Sequence, residues 1–164
     1  MSKGAVIKGD FQPGGARYAI AMSRFNSFIV ERLLDGALAA LLEQGVDRER
    51  ITIVQVPGAW ELPVAVGSLA RRRDIDAVIA LGTVIRGETA HFDYVAGECV
   101  GGLSRIMLDT GKPVTLGVLT VETLEQAEAR SCPSDNKGAE AALAALEMVS
   151  LLARLKSESE SQPG

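Results

Sequence analysis

Four times along this chain a short apolar run gives way to a longer segment whose apolar residues recur at helical spacing. The runs are Tyr18 to Met22, Ile51 to Val56, Asp76 to Thr83 and Val114 to Thr120. Helices are predicted over Phe28 to Glu43, from Pro63 to about Arg71, from Thr89 to about Asp109, from Thr123 to near Arg130, and from Asn136 to Leu155. A strand that reaches its successor through a helix must run parallel to it, and such crossovers are right-handed. The third run is apolar almost without interruption, as in a sheet covered on both faces. With so few strands, the natural solution is a three-layer, flavodoxin-like α/β sandwich with a parallel sheet in the order 2-1-3-4. Its ligand site would lie at the switch point, outside the carboxyl ends of the first and third strands.

Punctuation supports these boundaries. The first helix buries a stripe of Ile29, Val30, Leu33, Leu34, Ala37, Leu38, Leu41 and Leu42, with Asn26 or Ser27 as N-cap and Gly45 as its stop. Pro63 suits a first helical turn, and Thr123 with Gln126 makes a capping box. The third helix turns Val95, Cys99, Leu103, Ile106 and Met107 inward; Gly97, Gly101 and Gly102 are costly there, which implies close packing on a neighbour. Residues 1–155 are expected to form one domain. Residues 156–164, all polar apart from Pro163 and Gly164, are expected to be a disordered tail. Gly4 to Lys8, cut off by Gln12-Pro13-Gly14-Gly15, reads as a strand destined for a neighbouring subunit.

The net charge of −4 gives nucleic acid no electrostatic footprint. Cys99 and Cys132 have no zinc spacing, and a single histidine leaves few ligands for any metal. Without a signal-like apolar N-terminus or a membrane-length run, the expectation is a soluble cytoplasmic protein.

The stretch Leu81 to Tyr94 carries the chemistry. Gly82 and Gly87 bracket four residues as in a P-loop, and Thr89 takes the Ser/Thr position, but Glu88 stands where a nucleotide site needs Lys. A nucleoside triphosphate is thereby disfavoured. One small phosphate is not, because backbone N–H groups at a helix start can still hold an anion. His91, the only histidine, follows immediately and is the natural proton shuttle; otherwise it simply packs at the helix start. Two more loops should meet on the same edge, Arg24-Phe25-Asn26 and Gly58-Ala59-Trp60-Glu61. Each residue there has a structural alternative: Phe25 as a hydrophobic staple, which the residues alone favour, Trp60 as a core anchor and Glu61 as an acid at a helix start. Lys137 opposes its helix macrodipole, so either Asp135 and Glu140 compensate it or an anion is expected. Arg130 at a helix end could supply the cation that Glu88 does not.

The chain resembles the 6,7-dimethyl-8-ribityllumazine synthase family over nearly all of residues 4 to 155. The resemblance is carried by Arg24-Phe25-Asn26, Val56-Pro57-Gly58-Ala59-Trp60-Glu61-Leu62-Pro63, Leu81-Gly82-Thr83-Val84-Ile85-Arg86-Gly87, His91-Phe92-Asp93-Tyr94 and Asn136-Lys137-Gly138, in that order. It implies a condensation of 5-amino-6-(D-ribitylamino)uracil with 3,4-dihydroxy-2-butanone 4-phosphate, with no cofactor and no metal. It also implies that Phe25 stacks on the pyrimidine and that Asn26 and Glu61 bind ribityl hydroxyls. Ala59, Trp60, Thr83, Val84 and Ile85 would line the ring pocket. Glu88 through its backbone, Thr89 and a neighbour's Arg130 would hold phosphate, His91 would move protons, and Lys137 would lie nearby. The resemblance further implies a homopentamer with sites between subunits, a possible sixty-subunit shell and a possible riboflavin synthase partner. The chain departs from the family in two places: Leu116 replaces an aromatic that reaches into the neighbour's pocket, and the loop Ser131 to Asp135 is atypical and shorter. A lumazine- or flavin-binding module without catalysis is the competing class. A phosphoacceptor receiver is excluded by Ser23-Arg24 and Gly82-Thr83, where that class needs acids.

Overall fold

A computed structural model describes residues 4–161. Four strands, β1 (Tyr18–Ser23), β2 (Ile51–Val56), β3 (Ala77–Ile85) and β4 (Val114–Val121), form a parallel sheet in the order β2-β1-β3-β4. Helices cover both faces, so the three-layer, flavodoxin-like arrangement expected from the alternation is the one observed. The strand register places Ser23 beside Val56 and Ile85 beside Val121, which brings the carboxyl ends of all four strands to one edge.

Period two divides the core. On one face Tyr18, Ile20, Met22, Ile79 and Leu81 pack on α1 (Ser27–Glu43) and α5 (Lys137–Glu160). On the other, Ala19, Ala21, Val78 and Ala80 meet α2 (Leu62–Ala70) and α3 (His91–Thr110). Small residues on β1 and β3 let the second layer approach closely. Gly138 sets the first layer: a Cβ there would fall 2.0 Å from the Leu33 carbonyl oxygen, so α1 and α5 meet only because the residue is glycine.

Several boundaries differ from expectation for local reasons. Asn26 holds the expected N-cap position of α1, its carbonyl accepting the Ile29 and Val30 N–H groups at 3.0 and 3.2 Å, but its side chain makes no cap bond; its backbone is left-handed at φ 59° and the amide points elsewhere. At α4 (Leu124–Ala129) the Thr123 hydroxyl accepts from the Gln126 N–H at 3.2 Å, but the Gln126 side chain reaches the Glu122 N–H rather than that of Thr123. Ser131 to Asn136 is a tight antiparallel hairpin of β5 (Ser131–Cys132) and β6 (Asp135–Asn136), not an irregular loop. Of the three α3 glycines only Gly102 is tightly packed, against Pro63; nothing lies near a Cβ at Gly97 or Gly101. Met107, expected inward on α3, is exposed.

The chain ends also differ. α5 passes Leu155 and continues to Glu160, where a disordered tail was expected. Lys and Glu are good helix formers, no Gly or Pro intervenes, and the Ser157, Ser159 and Ser161 hydroxyls donate back to helix carbonyls. Residues 162–164 of that expected tail lie outside the described residues. Gly4 to Lys8 forms no strand within the chain. The base of the arm is instead held on α5: Ser150 Oγ donates to the Asp10 carbonyl at 3.0 Å, and Arg154 pairs with the Asp10 carboxylate. Val6 is 74% exposed.

Candidate active site

Three loops at the carboxyl edge are stitched together by main chain. The Arg24 N–H donates to the Val56 carbonyl at 2.8 Å and the Phe25 N–H to the Pro57 carbonyl at 3.0 Å, which joins the β1–α1 turn to the β2–α2 turn. Asn26 Nδ2 donates to the Thr83 carbonyl at 3.1 Å and joins that turn to the end of β3. Glu61 braces the middle loop, accepting the Gly58 N–H on Oε2 at 3.0 Å and leaving its other oxygen available.

Between these loops and the start of α3 lies a cavity of about 760 Å³, a volume suited to a small organic ligand. Its walls contain ten of the expected site residues: Phe25, Asn26, Ala59, Trp60, Glu61, Thr83, Val84, Ile85, Thr89 and His91. Phe25 is 72% exposed and Trp60 58%, so neither the staple nor the core-anchor alternative describes them. An aromatic ring held in solvent at a cavity mouth is a platform for a planar ligand.

The cavity also contains residues to which the sequence assigns no site role, Pro57, Phe92, Tyr94 and Val95. The available signal was spacing, since Val95 falls one helical turn beyond His91. Tyr94 is 70% exposed.

His91 is the first residue of α3, and its N–H approaches Thr89 Oγ1 at 3.4 Å. Before it, the N–H groups of Gly87, Glu88 and Thr89 take no acceptor among the described residues. Free donors beside the positive end of a long helix are the arrangement that can hold an anion. The Glu88 side chain is exposed and does not line the cavity.

Four expected residues are not brought to this cavity by the single chain. Glu88 is one, while Arg130, Lys137 and Leu116 stand away from it. Arg130 is the exposed C-cap of α4 and folds back on its own helix, Nη1 donating to the Gln126 carbonyl at 3.0 Å. Lys137 Nζ pairs with Asp135 at 3.1 Å and Glu140 at 2.8 Å, which is the compensated alternative. Hydrogen bonds to Glu140 and Asp135 hold its ammonium above the ordinary lysine range. Leu116 lies on edge strand β4, 52% exposed.

A flavodoxin-like domain with an aromatic-walled, largely apolar cavity at the β1/β3 switch point has the form of a small-molecule site of the open α/β class. Residues 15–153 match the family model of 6,7-dimethyl-8-ribityllumazine synthase. The chain belongs to that family, whose members are transferases of riboflavin biosynthesis. Among the described residues, no helix is long and apolar enough to cross a membrane.

Proposed function

We propose that this chain condenses 5-amino-6-(D-ribitylamino)uracil with 3,4-dihydroxy-2-butanone 4-phosphate to give 6,7-dimethyl-8-ribityllumazine. The observation that carries the reading is the convergence of Phe25, Trp60, Glu61, Thr89 and His91 on one cavity, within a chain of this family. The amine attacks the ketone carbonyl and loses water to give an imine. Loss of a proton from the adjacent carbon then expels phosphate. The enol left by that elimination tautomerises to a methyl ketone, and the second nitrogen closes the ring on this new carbonyl with loss of another water.

Each residue has a place in that sequence. Phe25 offers its ring face to the pyrimidine, with Ala59, Trp60, Thr83, Val84 and Ile85 enclosing it. Asn26 and the unused oxygen of Glu61 accept ribityl hydroxyls. The N–H of Glu88, with Thr89, receives the phosphate, and His91 relays protons during imine formation and elimination. Arg130 supplies the cation from an adjacent subunit of a homopentamer, with Lys137 near it, and Leu116 borders the neighbour's pocket. The arm at Gly4 to Lys8 adds to a neighbour's sheet through the open side of β2. Pentamers of this kind could further close into a sixty-subunit shell, with riboflavin synthase as a partner and the cytoplasm as location.

The test is direct. Purified protein is mixed with both substrates and lumazine absorbance is followed. A rate well above the uncatalysed condensation is expected, and a rate equal to it overturns the proposal. Sedimentation velocity distinguishes a pentamer from a shell.

A further inference from the structure

We propose that Arg86 is a positioning residue, which locks the anion cradle and the first turn of α3 into one register; the catalytic part of this inference rests on the reaction proposed above. Arg86 directly follows β3, and its N–H donates to the Val121 carbonyl at 2.9 Å, which anchors its backbone on the end of β4. The guanidinium then forks. Nε donates to Glu122 Oε2 at 2.7 Å, and Nη1 pairs with Asp93 Oδ1 at 3.1 Å. Its central carbon also stands 4.3 Å from the centre of the Phe92 ring, which lines the cavity.

One side chain therefore spans the whole excursion of the loop from Gly87 to Ala90. The loop departs from Arg86, and it returns into the turn that holds His91, Phe92 and Asp93, two of which Arg86 touches. The His91 ring takes no hydrogen bond among the described residues, so its placement depends on the helix turn beneath it. The turn depends on Arg86. The fork also offsets charge. Asp93 and Glu122 are carboxylates held on the residue that opens a cradle suited to an anion, and the guanidinium offsets the charge of both. Lysine is a poor replacement, because a point charge cannot fork to two acids and lie flat on a ring at once.

The test compares wild type with Arg86→Met, Arg86→Lys and Arg86→Met/Asp93→Asn. Hydrogen exchange over residues 87–95 is expected to speed up in Arg86→Met while the sheet remains protected, and this readout is independent of turnover. In the condensation assay kcat is expected to fall between about 10-fold and 100-fold, the scale of a small misplacement of reacting groups. KM for the uracil substrate stays within about twofold, since Phe25 and Trp60 are untouched. KM for the phosphate substrate rises, and Arg86→Lys or the double variant restores that KM without restoring kcat. Unchanged exchange over 87–95, or an activity loss explained wholly by a lower folded fraction, overturns the proposal. If wild type is inactive while the exchange change is present, the reaction is misassigned and the positioning role stands.

Discussion

Asn26 donates its side-chain amide to the carbonyl of Thr83 from a backbone held at φ 59°, the only non-glycine residue in the left-handed region among those described. The strained residue and the cross-strand tie are the same residue. A side-chain cap would need an extended backbone at that position, whereas the left-handed one aims the amide across β1 to the end of β3. The turn that carries Phe25 is thereby fixed to the strand that forms the cavity floor.

This relation gives a ranked prediction. Asn26→Ala loses the tie and keeps the unfavourable φ, so it is expected to destabilise by about 1–2 kcal/mol in a denaturant titration. Asn26→Gly loses the tie but relieves the backbone, and should be the milder substitution. Equal stability of the two variants would show that the left-handed backbone carries no strain.

His91→Ala tests the proton relay. Under saturating substrates kcat is expected to fall by about 10²–10⁴, the range for a positioned acid–base group, with little change in either KM. Turnover equal to wild type would remove His91 from the mechanism.

Arg130→Ala should raise KM for the phosphate substrate far more than for the uracil. A mixing experiment then asks whose pocket it serves. Inactive His91→Ala chains and weakened Arg130→Ala chains, dissociated and reassembled together, should regain activity, because some mixed sites combine an intact His91 with a neighbour's intact Arg130. No gain on mixing would place Arg130 in its own chain's site or in none.

Tyr18 concerns stability at high pH. Its hydroxyl is buried and has no hydrogen-bond partner among the described residues, and burial first, then the charge of Asp76, pushes the phenol from an ordinary value near 10 up to about 12. The folded protein therefore holds this proton where the unfolded chain releases it. The associated stability is complete below about pH 10 and is lost as pH rises toward 12. Tyr18→Phe should gain about 1 kcal/mol at neutral pH by removing an unpaired hydroxyl, and should flatten the alkaline decline. Melting curves collected from pH 8 to 12 would measure both, and an unchanged slope would contradict the assignment.

How much of this could be read from sequence depends on the range of the interaction. Strand order was legible because apolar runs and crossover handedness leave few ways to build so small a sheet. Caps were legible where a side chain acts within its own turn, as Thr123 does. Phe25 and Trp60 were not, because an aromatic residue at a turn reads equally well as packing or as exposed wall until three separate loops are assembled. The Asn26 side chain was misread for the same reason: the residue does hold the N-cap position, but its amide's partner lies on β3, and nothing local distinguishes a side-chain cap from a cross-strand tie. Arg86 was quoted only as part of a motif, since nothing local shows that Phe92 and Asp93 on the next helix and Glu122, 36 residues on, converge on one guanidinium. The helix beyond Leu155 escaped notice because a polar segment with nothing to bury can still extend a helix already begun.

Arg130 folds back on the Gln126 carbonyl of its own helix, outside the cavity of its own chain. If its cation serves an adjacent copy, folding and competence become separate events. A dilute solution would hold intact chains that turn over slowly, each with its cation idle. Specific activity would then climb with protein concentration to a plateau set by assembly, and dilution alone, with no inhibitor and no unfolding, would turn the enzyme down.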